Sequence, residues 1–328
     1  MRVLLVVDYT PVRATVITSF GPPDVLVSAE VEEPTAPPGH ELVDVTLAGV
    51  NYADIYRRRG EYEVPALPAV LGADIVGLRR RDGRRVAALL RSGGGYAQTA
   101  AAPSNHIVEV PDNVTDEQAL AVLEQGLTAW HSLHSLGRIV SEDVVVITAA
   151  AGGVGHLAVQ LARDAGAQVI ALASTADKRA FARKIGADAV ADSAIPDLSN
   201  AVRQALGTEP TLILDSVGGS SFEQLHAALA PFGRIVAYGG ASDISNTVSV
   251  DDLMEASTGV LGFWLQRVLD DPRRYRDTAS RLFELVADGR LRPHVGRHYP
   301  LADAAAAHAD LECRRSIGKL LLDVPQAL

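Results

Sequence analysis

Two rhythms in this sequence of 328 residues predict an α/β protein, a doubly wound parallel sheet joined to a strand-rich domain. Beyond Asp143, short apolar runs alternate with amphipathic helical segments. Before about Val110, β-branched runs alternate instead with clusters of Pro and Gly. The length itself exceeds what one hydrophobic core usually organises, which favours two domains.

Val3 to Val7 is an apolar run behind Arg2, but Asp8 ends it and no small-residue cleavage site follows, so it does not read as a secretory signal. Residues 1 to 13 read as a short leader or strand. From Ala14 to about Val110, turn clusters such as Pro34-Thr35-Ala36-Pro37-Pro38-Gly39 and Ser92-Gly93-Gly94-Gly95 punctuate short strands. Glu41 to Val50 alternates apolar and polar residues, as a half-buried strand does, and Glu117 to Leu136 has helical spacing.

The wound region begins with Val144-Val145-Val146-Ile147 and continues with Val169-Ile170-Ala171-Leu172, Leu212-Ile213-Leu214 and Ile235-Val236-Ala237. Continuous apolar runs suit strands covered on both faces. Between the first two, Val154, Leu157, Ala158, Leu161 and Ala165 fall at helical spacing, and Gly166 can end that helix. Repeated strand, helix, strand implies right-handed crossovers. A charged helix from Arg273 to Gly289, a Pro-containing turn and a last strand, Lys319 to Val324, complete the chain. The tail is expected to return to the first domain. The expected division is 1–122 with 265–328, and 123–264.

Composition narrows the function. The chain is 48% hydrophobic and 21% charged, enough apolar material for a packed core. Its 40 acidic and 30 basic residues give a net charge of −10, which argues against nucleic acid or an anionic membrane surface as partner. No stretch approaches the roughly 20 apolar residues of a membrane helix. A lone cysteine, Cys313, can form neither an internal disulfide nor a multi-thiolate zinc cage, and the expected compartment is the reducing cytoplasm.

The first wound strand runs into Ala149-Ala150-Ala151-Gly152-Gly153-Val154-Gly155. Against the dinucleotide pattern G-x-G-x-x-G it keeps the second and third glycines as Gly152 and Gly155, with Ala150 in the first place. A pyrophosphate must approach the backbone N–H groups at the helix start, and a side chain at Gly152 would block it. The alternative is a tight turn that binds nothing. An NAD-preferring site has an acid about 20 residues past the glycines. Here the second strand leads into Ser174-Thr175-Ala176-Asp177-Lys178-Arg179 with no acid at its end. Ser174 and Thr175 supply hydroxyls, and Lys178 and Arg179 are cations at a helix start, where the dipole disfavours them unless an anion binds. The reading is NADPH; the bland alternative is a Thr175 N-cap with two solvated cations.

Gly49-Val50-Asn51-Tyr52-Ala53-Asp54-Ile55-Tyr56, Leu71-Gly72-Ala73-Asp74, Gly126-Leu127-Thr128, the run 149–155, Asp215-Ser216-Val217-Gly218-Gly219 and Gly318-Lys319 together carry a wider resemblance. From Ala14 to Val324 the chain resembles the zinc-free quinone oxidoreductase, or zeta-crystallin-like, group of the medium-chain dehydrogenase/reductase superfamily. The resemblance implies a Rossmann domain and a discontinuous GroES-like catalytic domain. Zinc-dependent members place ligands where Asn51, Ala73-Asp74 and Glu124 stand. Zinc needs about three N, S or carboxylate ligands at about 2.0–2.3 Å, which an amide and a methyl group cannot supply. His131 and His134, at i, i+3 spacing with no further ligand evident, read as ordinary polar residues.

What remains is hydride transfer from a nicotinamide to an electron-poor acceptor, a quinone or a conjugated carbonyl, with hydrogen-bond donors aimed at the oxygen that gains charge. The resemblance implies Asn51 and Tyr56 beside nicotinamide and acceptor, with Tyr52 a secondary candidate. It implies that Thr128, Val217, Gly218, Tyr238, Gly239, Gly240, Arg314 and Lys319 join Gly152, Gly153, Val154 and Gly155 in holding the cofactor; Phe263 and Trp264 fall where the family crosses between domains and read as walls of the acceptor slot, with a core role as the alternative. Two departures stand out: Ser193 replaces a tyrosine the family often has near the adenine, and Gly77 to Arg85 (GLRRRDGRR) is shorter and more basic than usual. The leading expectation is a quinone reductase, with an enoyl or enone reductase as rival. A third reading is an NADPH-binding protein with little turnover. A homodimer is expected from the family.

Overall fold

A computed structural model describes residues 11–62 and 66–326 of the chain. The amino-terminal apolar run lies outside them. The fold divides into two units, one holding the described residues of Met1–Leu123 and Val295–Leu328, the other Glu124–His294.

The first unit is strand-rich. Strands β1 (Pro11–Ile17), β2 (Val27–Glu32), β3 (His40–Val50), β4 (Ala69–Val70), β5 (Asp74–Arg79), β6 (Arg85–Leu89), β7 (Thr99–Pro103) and β8 (Ile107–Glu109) precede the wound region. Helix α1 (Tyr52–Arg59) leaves the end of β3, and α2 (Asp116–Trp130) leads out of the unit. β3 pairs antiparallel with β5 and β7, and its alternating sequence buries Val43, Val45 and Leu47.

The basic stretch from Gly77 to Arg85 forms the β5–β6 hairpin, and carboxylates meet its arginines. Arg79 pairs with Asp82 and Glu109, Arg80 with Glu33 and Asp44, Arg81 with Glu41, and Arg85 with Asp116. Arg79 holds the Asp82 carboxyl well below its ordinary range, at about 2.

The second unit is the doubly wound sheet. Its strands are β9 (Val144–Ile147), β10 (Gln168–Ala173), β11 (Ala189–Asp192), β12 (Leu212–Asp215), β13 (Arg234–Ala237) and β14 (Gly259–Gly262). They lie parallel in the order β11-β10-β9-β12-β13-β14. The central runs are buried throughout, as two-sided cover requires. The connections hold α3 (Gly153–Asp164), α4 (Ala176–Lys184), α5 (Leu198–Leu206), α6 (Ser220–Ala228) and α7 (Val250–Ala256). Past Trp130, α2 continues as a π-type turn over His131–Leu136.

Helices α8 (Gln266–Leu269) and α9 (Pro272–Ala287) belong to this second unit, so the chain leaves it after His294 rather than at residue 265. Hydrogen bonds to α3 account for the difference. Arg290 pairs with Asp164, Arg292 N donates to Gln160 Oε1, and His294 N donates to His156 Nε2 at 2.9 Å. Back in the first unit, β15 (Val295–Pro300) lies parallel to β16 (Lys319–Asp323), α10 (Ala304–Glu312) connects them, and β16 pairs antiparallel with β3.

Candidate active site

In the second unit the turn between β9 and α3 takes a fixed shape. Ala149 adopts φ 45°, a left-handed conformation unusual for a residue with a side chain, and Gly152 N donates to Ala149 O at 2.8 Å. A Cβ on Gly155 would lie 2.4 Å from Ala149 O, so the helix start and the strand end touch backbone to backbone. At Gly152 a Cβ would meet only Ala149 O, at 3.2 Å, which leaves the outer side open to an approaching anion. The first N–H groups of a helix lack partners within it, and here they are those that follow Gly152.

His156, which sequence spacing did not single out, braces this turn. The His294 N–H can only donate to Nε2, so His156 Nδ1 carries the proton and donates to Gly152 O at 2.9 Å. Burial lowers the ring's pKa to about 4 and keeps it neutral.

Other predicted cofactor residues gather at the carboxyl ends of the strands. Ser174 and Thr175 follow β10, and Thr175 accepts from Lys178 N as the N-cap of α4. Arg179 donates to Ala173 O at 3.0 Å and pairs with Asp192 at the end of β11, an acid the sequence reading did not consider. After β12, the buried Asp215 accepts from Val217 N and Gly218 N, which shapes that turn; burial raises its carboxyl above the ordinary range. Tyr238 N donates to Asp215 O, with Gly239 and Gly240 next in the chain. Burial pushes the Tyr238 phenol up. Thr128 Oγ1 donates to Glu124 O. Phe263 stacks on His131, ring centroids 6.2 Å apart, whereas Trp264 is largely exposed under Arg267.

The first unit gathers the remaining candidates at the head of α1. Asn51 caps the helix, with its N–H on Asp54 Oδ2 at 3.2 Å. Its carboxamide Nδ2 donates to Asp74 Oδ1 at 2.6 Å and to Asp54 Oδ2 at 3.2 Å, and its Oδ1 accepts from Lys319 Nζ. Lys319 Nζ also meets Asp74 Oδ2 at 2.8 Å. Arg57 faces Asp54 at 3.3 Å and donates to Arg91 O. Burial raises the Asp54 carboxyl, opposed by Arg57. Gly49 makes the room, because a Cβ there would fall 2.2 Å from Asp74 Oδ1.

Tyr52 and Tyr56 are half-buried, with rings 5.5 Å apart edge to face; Tyr62, a residue the sequence reading missed, adds a third ring 5.2 Å from Tyr56. Only aromatic spacing could have signalled it. Lys319 is turned toward Asn51 and Asp74 and is 1% exposed, while Arg314 is exposed at the end of α10 with φ 54°.

Residues 37–112 match the alcohol dehydrogenase GroES-like domain, and residues 185–322 the zinc-binding dehydrogenase domain. Over 96% of its length the chain is 32% identical to all of a 2-haloacrylate reductase from a Burkholderia species. It is 30% identical to a Pseudomonas aeruginosa quinone oxidoreductase, covering 93% of this chain and 97% of that one. This chain belongs to the quinone oxidoreductase group of the medium-chain dehydrogenase/reductase superfamily. It is an oxidoreductase with a Rossmann unit and a GroES-like unit. The solved structure of Escherichia coli quinone oxidoreductase complexed with NADPH superposes with a TM-score of 0.90 at 29% identity, covering 95% of this chain and 99% of that one.

Zinc, which the matched domain's description names, does not fit this member. At the Asn51 and Asp74 positions a lysine ammonium already occupies the space between amide and carboxylate. Among the described residues no group of three or more His, Cys, Asp or Glu converges to hold a metal ion.

Proposed function

We propose that the chain is an NADPH-dependent, zinc-independent reductase that passes hydride to a quinone. The carrying observation is the packed cluster of Tyr52, Tyr56 and Tyr62 on and beside α1, the helix that the buried Asn51 caps. NADPH, when bound, supplies the hydride. The chain's own groups do the rest. The glycine turn admits the pyrophosphate, and Ser174, Thr175, Lys178 and Arg179 face the ribose phosphate. Val217, Gly218, Tyr238 to Gly240 and Thr128 line the nucleotide. Tyr56, with Tyr52 beside it, donates to the acceptor oxygen as charge arrives there. One proton from solvent then completes the hydroquinone. Phe263 and Trp264 are read as walls of the acceptor slot.

An activated alkene is the second reading, favoured by the relative named 2-haloacrylate reductase. Such a substrate must be protonated on carbon, which a placed acid would serve. NADPH oxidation followed by absorbance with quinones, enones and 2-haloacrylates separates the readings. Turnover with quinones alone supports the first, turnover with alkenes alone the second. Tight NADPH binding with no acceptor consumed defeats both and leaves a nucleotide-binding protein.

The assembly we propose is a homodimer. β14 is the edge of the parallel sheet, and Phe232, Val250, Met254, Leu261 and Trp264 stand exposed in the same unit. An exposed strand edge with apolar side chains is a template for a second copy. No helix of the described residues is long and apolar enough to cross a membrane, and Cys313 is an exposed free thiol. We place the protein in the reducing cytoplasm on the strength of that thiol.

A further inference from the structure

The cluster below α1 is built from parts distant in the chain. Lys319 opens β16, and its neighbour Leu320 pairs with Val50, which brings the ammonium beside Asn51. Asp74 opens β5, and Asp54 and Arg57 sit on α1. Two acids and Lys319 hold one carboxamide directly, Arg57 adjoins it through Asp54, and all five side chains are buried. Burying ion pairs carries a large desolvation penalty, so such a cluster contributes more to fixing one geometry than to stability. The geometry fixed here is the position of Asn51. Both Nδ2 hydrogens lie on carboxylates and Oδ1 lies on Lys319. As the cap of α1, Asn51 sets where Tyr52 begins the helix and where Tyr56 follows one turn later.

We propose that Lys319 is a positioning residue for the acceptor end of the site, acting through Asn51 and the head of α1, and that it does not bind the cofactor. Asn51, on the same geometry, is the bridge that transmits this hold rather than a donor to the reacting oxygen. The inference rests on the reading of Tyr56 as the acceptor's donor.

The test compares Lys319→Met with the double variant Lys319→Met/Asp74→Asn. The single change leaves Asp74 buried without its cation, whereas the double change keeps the charges balanced. In the double variant kcat for quinone reduction should fall at least about tenfold while the NADPH Kd stays within about twofold. The further loss on adding Tyr56→Phe should shrink by about tenfold relative to wild type, since the phenol is already displaced. Backbone hydrogen exchange reads the same hold without turnover: amides of α1 should exchange at least about tenfold faster while those of β9 and β10 are unchanged.

An NADPH Kd raised tenfold with saturated turnover intact would make Lys319 a cofactor ligand and overturn the proposal. Unchanged kcat and unchanged α1 exchange would reduce the cluster to packing. A double variant that does not fold would make the pair a folding requirement and defeat the positioning role. A wild type inert toward every acceptor sinks the quinone reading instead, and α1 exchange then still decides the role of Lys319.

Discussion

His308 gives its one ring proton to Tyr96 Oη, 3.0 Å from Nε2. The assignment follows from the other nitrogen: Nδ1 faces Arg58 at 3.3 Å, and a guanidinium can only donate. Tyr96 in turn donates to Asp54 Oδ2, so the chain of hydrogen bonds ends beneath Asn51. Burial lowers the His308 pKa to about 3, and His156 in the other unit is lowered to about 4 for the same reason. Both rings are neutral when folded and protonate when unfolded near the ordinary value of about 6.5. Their stabilisation is therefore full above that value and declines as pH falls through the interval down to the folded pKa. Between pH 6.5 and 5.5 the loss should be about 1 kcal/mol per ring. Urea unfolding across that range, flat for either unit, would contradict the assignment for its ring.

The two glycines of the nucleotide turn should respond differently to a methyl group. Gly155→Ala forces Cβ into Ala149 O and Ala150 Cα, so it should lower the melting temperature and weaken NADPH binding together. Gly152→Ala meets one backbone oxygen at 3.2 Å, a tight contact that a shift of a few tenths of an ångström relieves. It should lower the melting temperature clearly less than Gly155→Ala does and raise the NADPH Kd at least about tenfold, since on the proposed binding mode the methyl group stands where the pyrophosphate approaches. Equal effects at the two positions would remove the case for a phosphate there.

Tyr56→Phe keeps the ring that packs on Tyr52 and Tyr62 and removes the hydroxyl. Turnover of a quinone at saturation should drop about ten- to a hundredfold with NADPH affinity unchanged, the loss expected of one donor at a developing oxyanion. Full activity would transfer the role to Tyr52 or to solvent.

Leu261→Asp places a carboxylate on the exposed edge of β14. A two-fold axis across that edge would bring two such charges close together. Light scattering should then report the 34.6 kDa of a single chain in place of twice that mass. If the wild type already elutes as a single chain, the dimer is wrong.

Much of the wound sheet was legible because a strand covered on both faces leaves an uninterrupted apolar run, as Val144 to Ile147 does. The glycine turn was legible for the same local reason. The residues around Asn51 carried no such signal. Lys319 and Asn51 meet across 268 positions, and nothing in their neighbourhoods announces a partner. The arginines of the β5–β6 hairpin read as a basic stretch because most of their acids, such as Glu33 just after β2 and Glu109 on β8, come from elsewhere in the chain. Helix α9 reads in the sequence as a charged helix, and charge does not say which unit packs against it; the chain leaves the second unit only after His294.

The His156 ring gives the nucleotide turn its last property. With the Gly152 carbonyl pinned by an imidazole that is itself pinned by His294, the crook is held by the protein's own hydrogen bonds. A diphosphate that binds there should find the turn already braced and have little left to order. Entropy surrendered during folding is then not surrendered again on capture, and encounter should proceed in one kinetic phase whose rate tracks nucleotide concentration.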